Sequence, residues 1–180
     1  DEGGSTTITA AMLSSSDVED PDAADITYTL TTTPPAGTLK LDGVALETGD
    51  TFTQQDIDDG LVTYEHDGSE TTSDSFGFSV KDTNGLTVSG QSFALTVTAV
   101  NDAPEVTAPA SIDVTEDTET PLTGMSITDA DAASGTVTVT FTVGEGVLAA
   151  TGTAGITVGG TAGALTLTGT ISDINAFISG

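Results

Sequence analysis

The 180-residue chain has no cysteine and no tryptophan, a single histidine, and only two basic residues, Lys40 and Lys81. Without cysteine there is no disulfide framework and no thiolate metal site. Against the two lysines stand 28 acidic residues, a formal net charge of −26. Nucleic acid and anionic membranes need clustered lysine and arginine, so neither is an expected partner. No apolar run approaches the length of a membrane span, and no signal peptide is present, so direct membrane insertion is not expected and any targeting signal is expected outside this sequence. Aromatic residues make up only 4%. Sugar-cleaving clefts rest on aromatic platforms, and here Tyr28 and Tyr64 are the only tyrosines. His66 beside Ser69 or Ser73 is the one conceivable nucleophile dyad, and it reads instead as a satisfied loop histidine. No enzyme is expected.

What is present is alternation. Acidic chains poor in aromatics are often disordered, but hydrophobic residues make up 36% of this one and recur at every second position. Thr136 to Val143 reads TVTVTFTV and places Val137, Val139, Phe141 and Val143 on one face. Phe76, Phe78 and Val80 form a second such row, Phe93, Leu95 and Val97 a third, and Ile26, Tyr28 and Leu30 a fourth. Threonine suits the outward positions because its branched side chain favours extended backbone while its hydroxyl faces water. Asp42-Gly43 and Asn84-Gly85 are hairpin signals with positive φ expected at both turn positions. Two short helices are expected, Thr53 to Asp59 and Ser172 to Ile178, each opened by a hydroxyl residue able to cap it. Short, evenly spaced strands with little helix specify a β-sandwich.

The chain also repeats itself. Leu13 to Glu19 (LSSSDVE) aligns without a gap on Met125 to Asp131 (MSITDAD), 112 residues on. Ala36 to Leu39 matches Glu145 to Leu148, and Gln55 to Asp58 matches Ser172 to Asn175, in the same order. Two domains are therefore expected, residues 1–100 and 101–180, joined by a linker around 100–104. Beyond Ile57 the first unit continues to Val100, long enough for about three strands, whereas six residues follow Ile174. The first unit is expected to lack its first strand. The second is expected to lack its last strands, with an open apolar edge that invites pairing.

The linker, Val100-Asn101-Asp102-Ala103-Pro104, lies between two acidic signatures, Asp17-Val18-Glu19-Asp20-Pro21-Asp22 and Asp129-Ala130-Asp131. Clustered carboxylates with an asparagine carbonyl supply the six to eight oxygen ligands that calcium takes in loose geometry. Other metal and phosphate motifs fail. Asp22 stands where an EF-hand loop needs glycine, the Gly152 to Gly169 stretch lacks the repeats of a β-roll, and no helix follows the G-x-G-x-x-A pattern of Gly144 to Ala149.

These residues resemble a known family. The first unit, from EGGSTTIT through PPAGTL, FTQQDIDDG, YEHDGSE and DSFGFSVKD to VNDAP, closely resembles cadherin-like repeats of the chondroitin-sulfate-proteoglycan type found in giant bacterial surface adhesins. The second, with TEDTETPLTGMSITDADA and LTLTGTISDIN, is similar to another repeat of such adhesins. The resemblance implies an all-β chain of tandem Ig-like, seven-stranded Greek-key sandwiches with calcium at their joints. Carried over by residue, it implies ligands at Glu2, Asn101, Asp102, Asp129 and Asp131, with Asp67 or Glu70 beside them. Asp17, Glu19, Asp20, Asp22 and Asp82 would face a preceding domain, and Glu116 and Asp117 a following one. Ala99 and Ala103 replace two ligands of the family linker, so one or two ions are expected in place of three. The function implied is a calcium-rigidified spacer of a surface adhesin or of a matrix or biofilm fibre. Its partners would be neighbouring repeats and, in a fibre, other copies. A calcium-dependent polysaccharide- or protein-binding module and a self-assembling filament subunit are the alternatives.

Overall fold

The computed structural model describes residues 1–179, which fold as two compact units, Asp1–Val100 and Asn101 onward. The first unit runs β1 (Ser5–Thr7), a single 3-10 turn (Ala23–Asp25), β2 (Thr27–Thr32), β3 (Gly37–Leu41), β4 (Val44–Ala45), β5 (Thr51–Thr53), α1 (Gln54–Asp58), β6 (Val62–His66), β7 (Ser73–Lys81) and β8 (Thr87–Thr96). Two antiparallel four-stranded sheets result, ordered β1-β6-β3-β4 and β5-β2-β7-β8. The sandwich thus has eight strands, among them the two-residue β4, which the Asp42-Gly43 turn adds to the edge of β3. Both turn residues have positive φ, 48° and 78°, as expected. At the second hairpin only Gly85 does, because a longer loop closed by Asp82 connects β7 to β8.

Alternation places the core. Tyr28, Leu30, Leu39, Val62 and Phe76 are fully buried between the sheets. Tyr28 stacks on Phe52 across the β2–β5 pair at 5.0 Å, and Phe76 stacks on Phe93 across β7–β8 at 5.1 Å. Gly37 is required by close approach, since a Cβ there would lie 2.5 Å from the Glu65 carbonyl oxygen. Helix α1 closes one end of the sandwich. The Thr53 hydroxyl accepts the Asp56 N–H while the Asp56 carboxylate accepts the Thr53 N–H, a reciprocal cap. This fixes the helix so that Ile57 drops into the core, 1% exposed. Thr53→Ala is expected to destabilise the first unit by about 1 kcal/mol, measured by urea unfolding.

The second unit comprises β9 (Glu105–Thr107), β10 (Ser126–Thr128), β11 (Thr136–Thr142), β12 (Thr157–Thr161), β13 (Ala164–Thr170) and α2 (Ile171–Ser179). Strands β9 and β10 form a ribbon, and β11, β13 and β12 a three-stranded sheet in that order. Its core is smaller: Ile127, Ile156, Leu167, Ile174 and Ile178. The alternating row of β11 is present, but Val137, Val139 and Phe141 are only half-buried, and β11 is the last strand of its sheet. Thr170, not Ser172, caps α2, receiving the Asp173 N–H and donating its hydroxyl to the Asp173 carboxylate.

The two units share more than sequence. Thr53, Asp56 and Ile57 do in the first what Thr170, Asp173 and Ile174 do in the second, and Thr27↔Thr53 pairs as Thr136↔Thr170 does. The Asp17 carboxylate accepts the N–H groups two and three residues on, and so does that of Asp129. One landmark fails. Gly146 to Leu148 aligns with strand β3 in sequence yet forms no strand, with Gly146 in a bend at φ 90° and Val147 exposed.

Candidate functional site

Residues expected to bind metal gather at three places. The first is the end of the first unit where its chain begins and leaves. The Glu2 N–H donates to the Thr98 carbonyl at 2.9 Å, and one Glu2 carboxylate oxygen accepts the Val100 N–H at 3.1 Å. Its other oxygen, Oε1, is buried and takes no hydrogen bond among the described residues. The Glu70 carboxylate lies beside it, with oxygens of the two residues within 4.8 Å. Two like charges this close repel, and a buried carboxylate oxygen without a donor is costly. A hard cation with oxygen ligands relieves both, so this pair fits calcium. Lys40 does not fill that role, because it pairs with Glu65 on the β3–β6 surface.

His66 holds this place together. It lies in β6 rather than in a loop, in phase with Val62 and Tyr64, and is 3% exposed. Its Nδ1 accepts the N–H groups of Gly3 and Gly68, each at 3.2 Å, so the ring proton sits on Nε2 and is donated to Thr71 Oγ1 at 2.8 Å. One imidazole therefore ties the segment carrying Glu2 to the loop carrying Asp67 and Glu70. Both ring nitrogens are committed, and neither bonds Ser69 or Ser73. Asp67 turns that loop by accepting the Ser69 N–H at 2.9 Å; bonds from Ser69, side chain first and backbone second, hold its carboxyl below the usual carboxylate range.

Beneath the loop lies a buried polar cluster that sequence reasoning missed. Asp74, 7% exposed, accepts the Tyr64 hydroxyl at 2.8 Å, the Ala36 N–H at 3.1 Å and the Ser75 N–H at 2.7 Å. Burial first, and the adjacent Asp74 carboxylate next, push the Tyr64 phenol far above its ordinary value. The signal was available: Asp74 is in phase with Phe76, Phe78 and Val80, so alternation points it inward.

The second place is the start of the second unit. The Asp102 N–H donates to the Asp131 carboxylate, the Asn101 side-chain amide donates to the Asp102 carbonyl, and Asp129 caps the turn through Asp131 and Ala132. Asn101, Asp102, Asp129 and Asp131 are therefore linked through these bonds, but among the described residues Asp102, Asp129 and Asp131 do not bring three ligand atoms within 4.8 Å of one another. The third place is the loops carrying Asp17 to Asp22 and Asp82. Asp20 accepts the Thr83 N–H at 3.1 Å, joining the two loops. Asp17 is held below its ordinary value, chiefly by the Glu19 N–H, Asp22 caps the 3-10 turn, and Asp82 accepts the Leu86 N–H. Among the described residues, no three of Asp17, Glu19, Asp20, Asp22 and Asp82 bring ligand atoms within 4.8 Å of one another. Glu116 and Asp117 stand apart in an exposed turn, with Asp117 at φ 60°. No helix among the described residues is long and apolar enough to cross a membrane.

A cadherin-like family model matches residues 1–98. The chain is similar to extracellular matrix protein 3 of Lytechinus variegatus, 41% identical over 81 residues, 45% of this chain and 2% of that one. It is similar to human chondroitin sulfate proteoglycan 4, 30% identical over 148 residues, 79% of this chain and 6% of that one. It is similar too to the extracellular matrix organizing protein FRAS1 of Mus musculus, 46% identical over 55 residues, 31% of this chain and 1% of that one. The chain thus spans at most 6% of these relatives. No solved structure matches it.

Proposed function

The chain belongs to the cadherin-like family, and from that premise we propose that it is a non-enzymatic structural spacer: a length of extracellular repeat protein stiffened by calcium. The observation that carries the calcium reading is Glu2, whose buried Oε1 lacks a donor beside a second carboxylate. Glu2 and Glu70 would hold an ion where the first unit ends. Asn101, Asp102, Asp129 and Asp131 would supply oxygens where the second begins. The supporting chemistry is a net charge of −26, which opposes compaction until cations are bound.

The extracellular setting is supported by relatives named as matrix proteins. A bacterial surface or biofilm fibre belongs to the proposal through the resemblance of the repeats. Neighbouring repeats of the same polypeptide would be the partners. Small-angle scattering tests the spacer. Calcium is expected to narrow the distribution of end-to-end distances relative to chelator, and magnesium at equal ionic strength is not. Identical profiles in calcium and chelator would end the rod reading.

A further inference from the structure

From the reading of Glu2 and Glu70 as calcium ligands, on which this rests, we infer that Tyr64 and Asp74 are positioning residues for the ion. Their buried hydrogen bond fixes the loop that carries Glu70 at the place where it meets Glu2. That loop, residues 67–72, crosses from β6 in one sheet to β7 in the other. Tyr64 lies on the strand that enters it and Asp74 on the strand that leaves it. The Tyr64 hydroxyl donates to Asp74 Oδ2 at 2.8 Å, and the two residues are 3% and 7% exposed. One bond thus joins the two sheets at the base of the loop.

The peptide group of Ala36 completes the closure. Its N–H donates to the same Asp74 oxygen at 3.1 Å. Its carbonyl accepts the Asp67 N–H, the first amide of the loop, at 3.0 Å. The phenol oxygen lies 3.3 Å from that carbonyl as well. Gly37 makes room for it, since a Cβ there would stand 2.6 Å from the phenol oxygen. At the other side of the loop the Thr72 carbonyl accepts the Val97 N–H at 3.0 Å. The bond from the Ser69 N–H to Asp67 only shapes the loop internally. Loss of the Tyr64 hydroxyl therefore removes the tie between the strands while leaving that turn in place.

Positioning matters because the ligands repel. Until an ion binds, like charges within 4.8 Å push Glu2 and Glu70 apart, and a loop loose at its base would yield. A loop held at its base presents both carboxylates already placed, so binding loses less to ordering. Groups that orient metal ligands from behind change affinity by about 10–100-fold when lost. Tyr64 acts through the loop backbone, which puts its effect at the lower bound.

The test is calorimetric titration of calcium into the 180-residue chain and its Tyr64→Phe and Tyr28→Phe variants, at a temperature where all are folded. Tyr28 is the control. Its hydroxyl is equally buried but donates to Gln54 Oε1 of α1 at 2.7 Å, so its loss weakens the fold without touching the loop. Tyr64→Phe is expected to bind calcium roughly tenfold more weakly, and Tyr28→Phe as the parent does. In chelator, hydrogen exchange at the Asp67 and Gly68 amides is expected to quicken in Tyr64→Phe by more than at the amides of β2, which report global unfolding. Parent affinity in Tyr64→Phe would make the bond purely structural, overturning its positioning role while the calcium reading stands. Equal weakening in both variants would trace to stability and overturn that role too. A parent that binds no calcium, or binds it unchanged after Glu70→Gln, would end the ligand assignment and the positioning role with it.

Discussion

Alanine at Asp74 is expected to remove about 3 kcal/mol from the stability of the first unit, the largest single-site effect foreseen here. The carboxylate takes three donors in a buried setting. Its loss strands the Ala36 N–H outright and leaves the Tyr64 hydroxyl only a 3.3 Å contact to the Ala36 carbonyl. Each orphaned buried donor costs about 1–3 kcal/mol. The same cluster sets an alkaline limit. Burial raises the Tyr64 phenol above its unfolded value near 10, so the folded state favours the neutral form. That contribution is whole below about pH 10 and is lost as pH rises through the window above it. Urea unfolding from pH 8 to 11 should show the decline, and Tyr64→Phe should reduce it, the remainder coming from the Tyr28 phenol, which burial also raises. A pH-independent midpoint in the parent protein would contradict the assignment.

Alanine at His66 comes second, with an expected loss of about 2 kcal/mol and roughly tenfold weaker calcium binding at Glu2 and Glu70. Among the described residues the imidazole is the only side chain bonded to both the Gly3 and Gly68 amides. Removing it leaves two partly buried donors unpaired and frees the two ligand-bearing segments from each other. Calorimetric titration with calcium, run where the variant is still folded, separates the two effects. Lower stability with unchanged affinity would mean that Glu2 and Glu70 are not the ligands.

Much of this was legible in the residues. Period-two runs located β2, β7, β8 and β11, and the D-x-[DE] and x-D-I-[DN] landmarks located equivalent turns and helices in both units. The rest was hidden for physical reasons. Thr170 caps α2 because it ends β13 in pairing register, whereas Ser172 merely looked like a cap. Gly146 to Leu148 copies the glycine and leucine of β3 without its strand, because in the second unit β13 pairs with β11 and β12. Asp74 lies between strand residues read only for their apolar row, and His66 reads as a loop residue from its acidic and glycine neighbours, although both are in phase with buried aromatics. For the acidic residues, composition announced a cation. Only the fold distinguishes Glu2, with its unpaired buried oxygen, from Asp17 and Asp67, whose carboxylates are engaged in turning their own loops.

The most direct test of the calcium account is the thermal melt of the 180-residue chain in saturating calcium and in excess chelator at equal ionic strength. Extracellular sites bind with constants of about 10⁻⁴–10⁻³ M, and a hundredfold excess adds about 2.7 kcal/mol per site. A rise of several degrees is expected in calcium, unmatched by magnesium and reduced in Glu2→Gln. An unchanged melt would mean that the acidic residues form only a solvated surface, and the calcium-stiffened spacer would have to be abandoned.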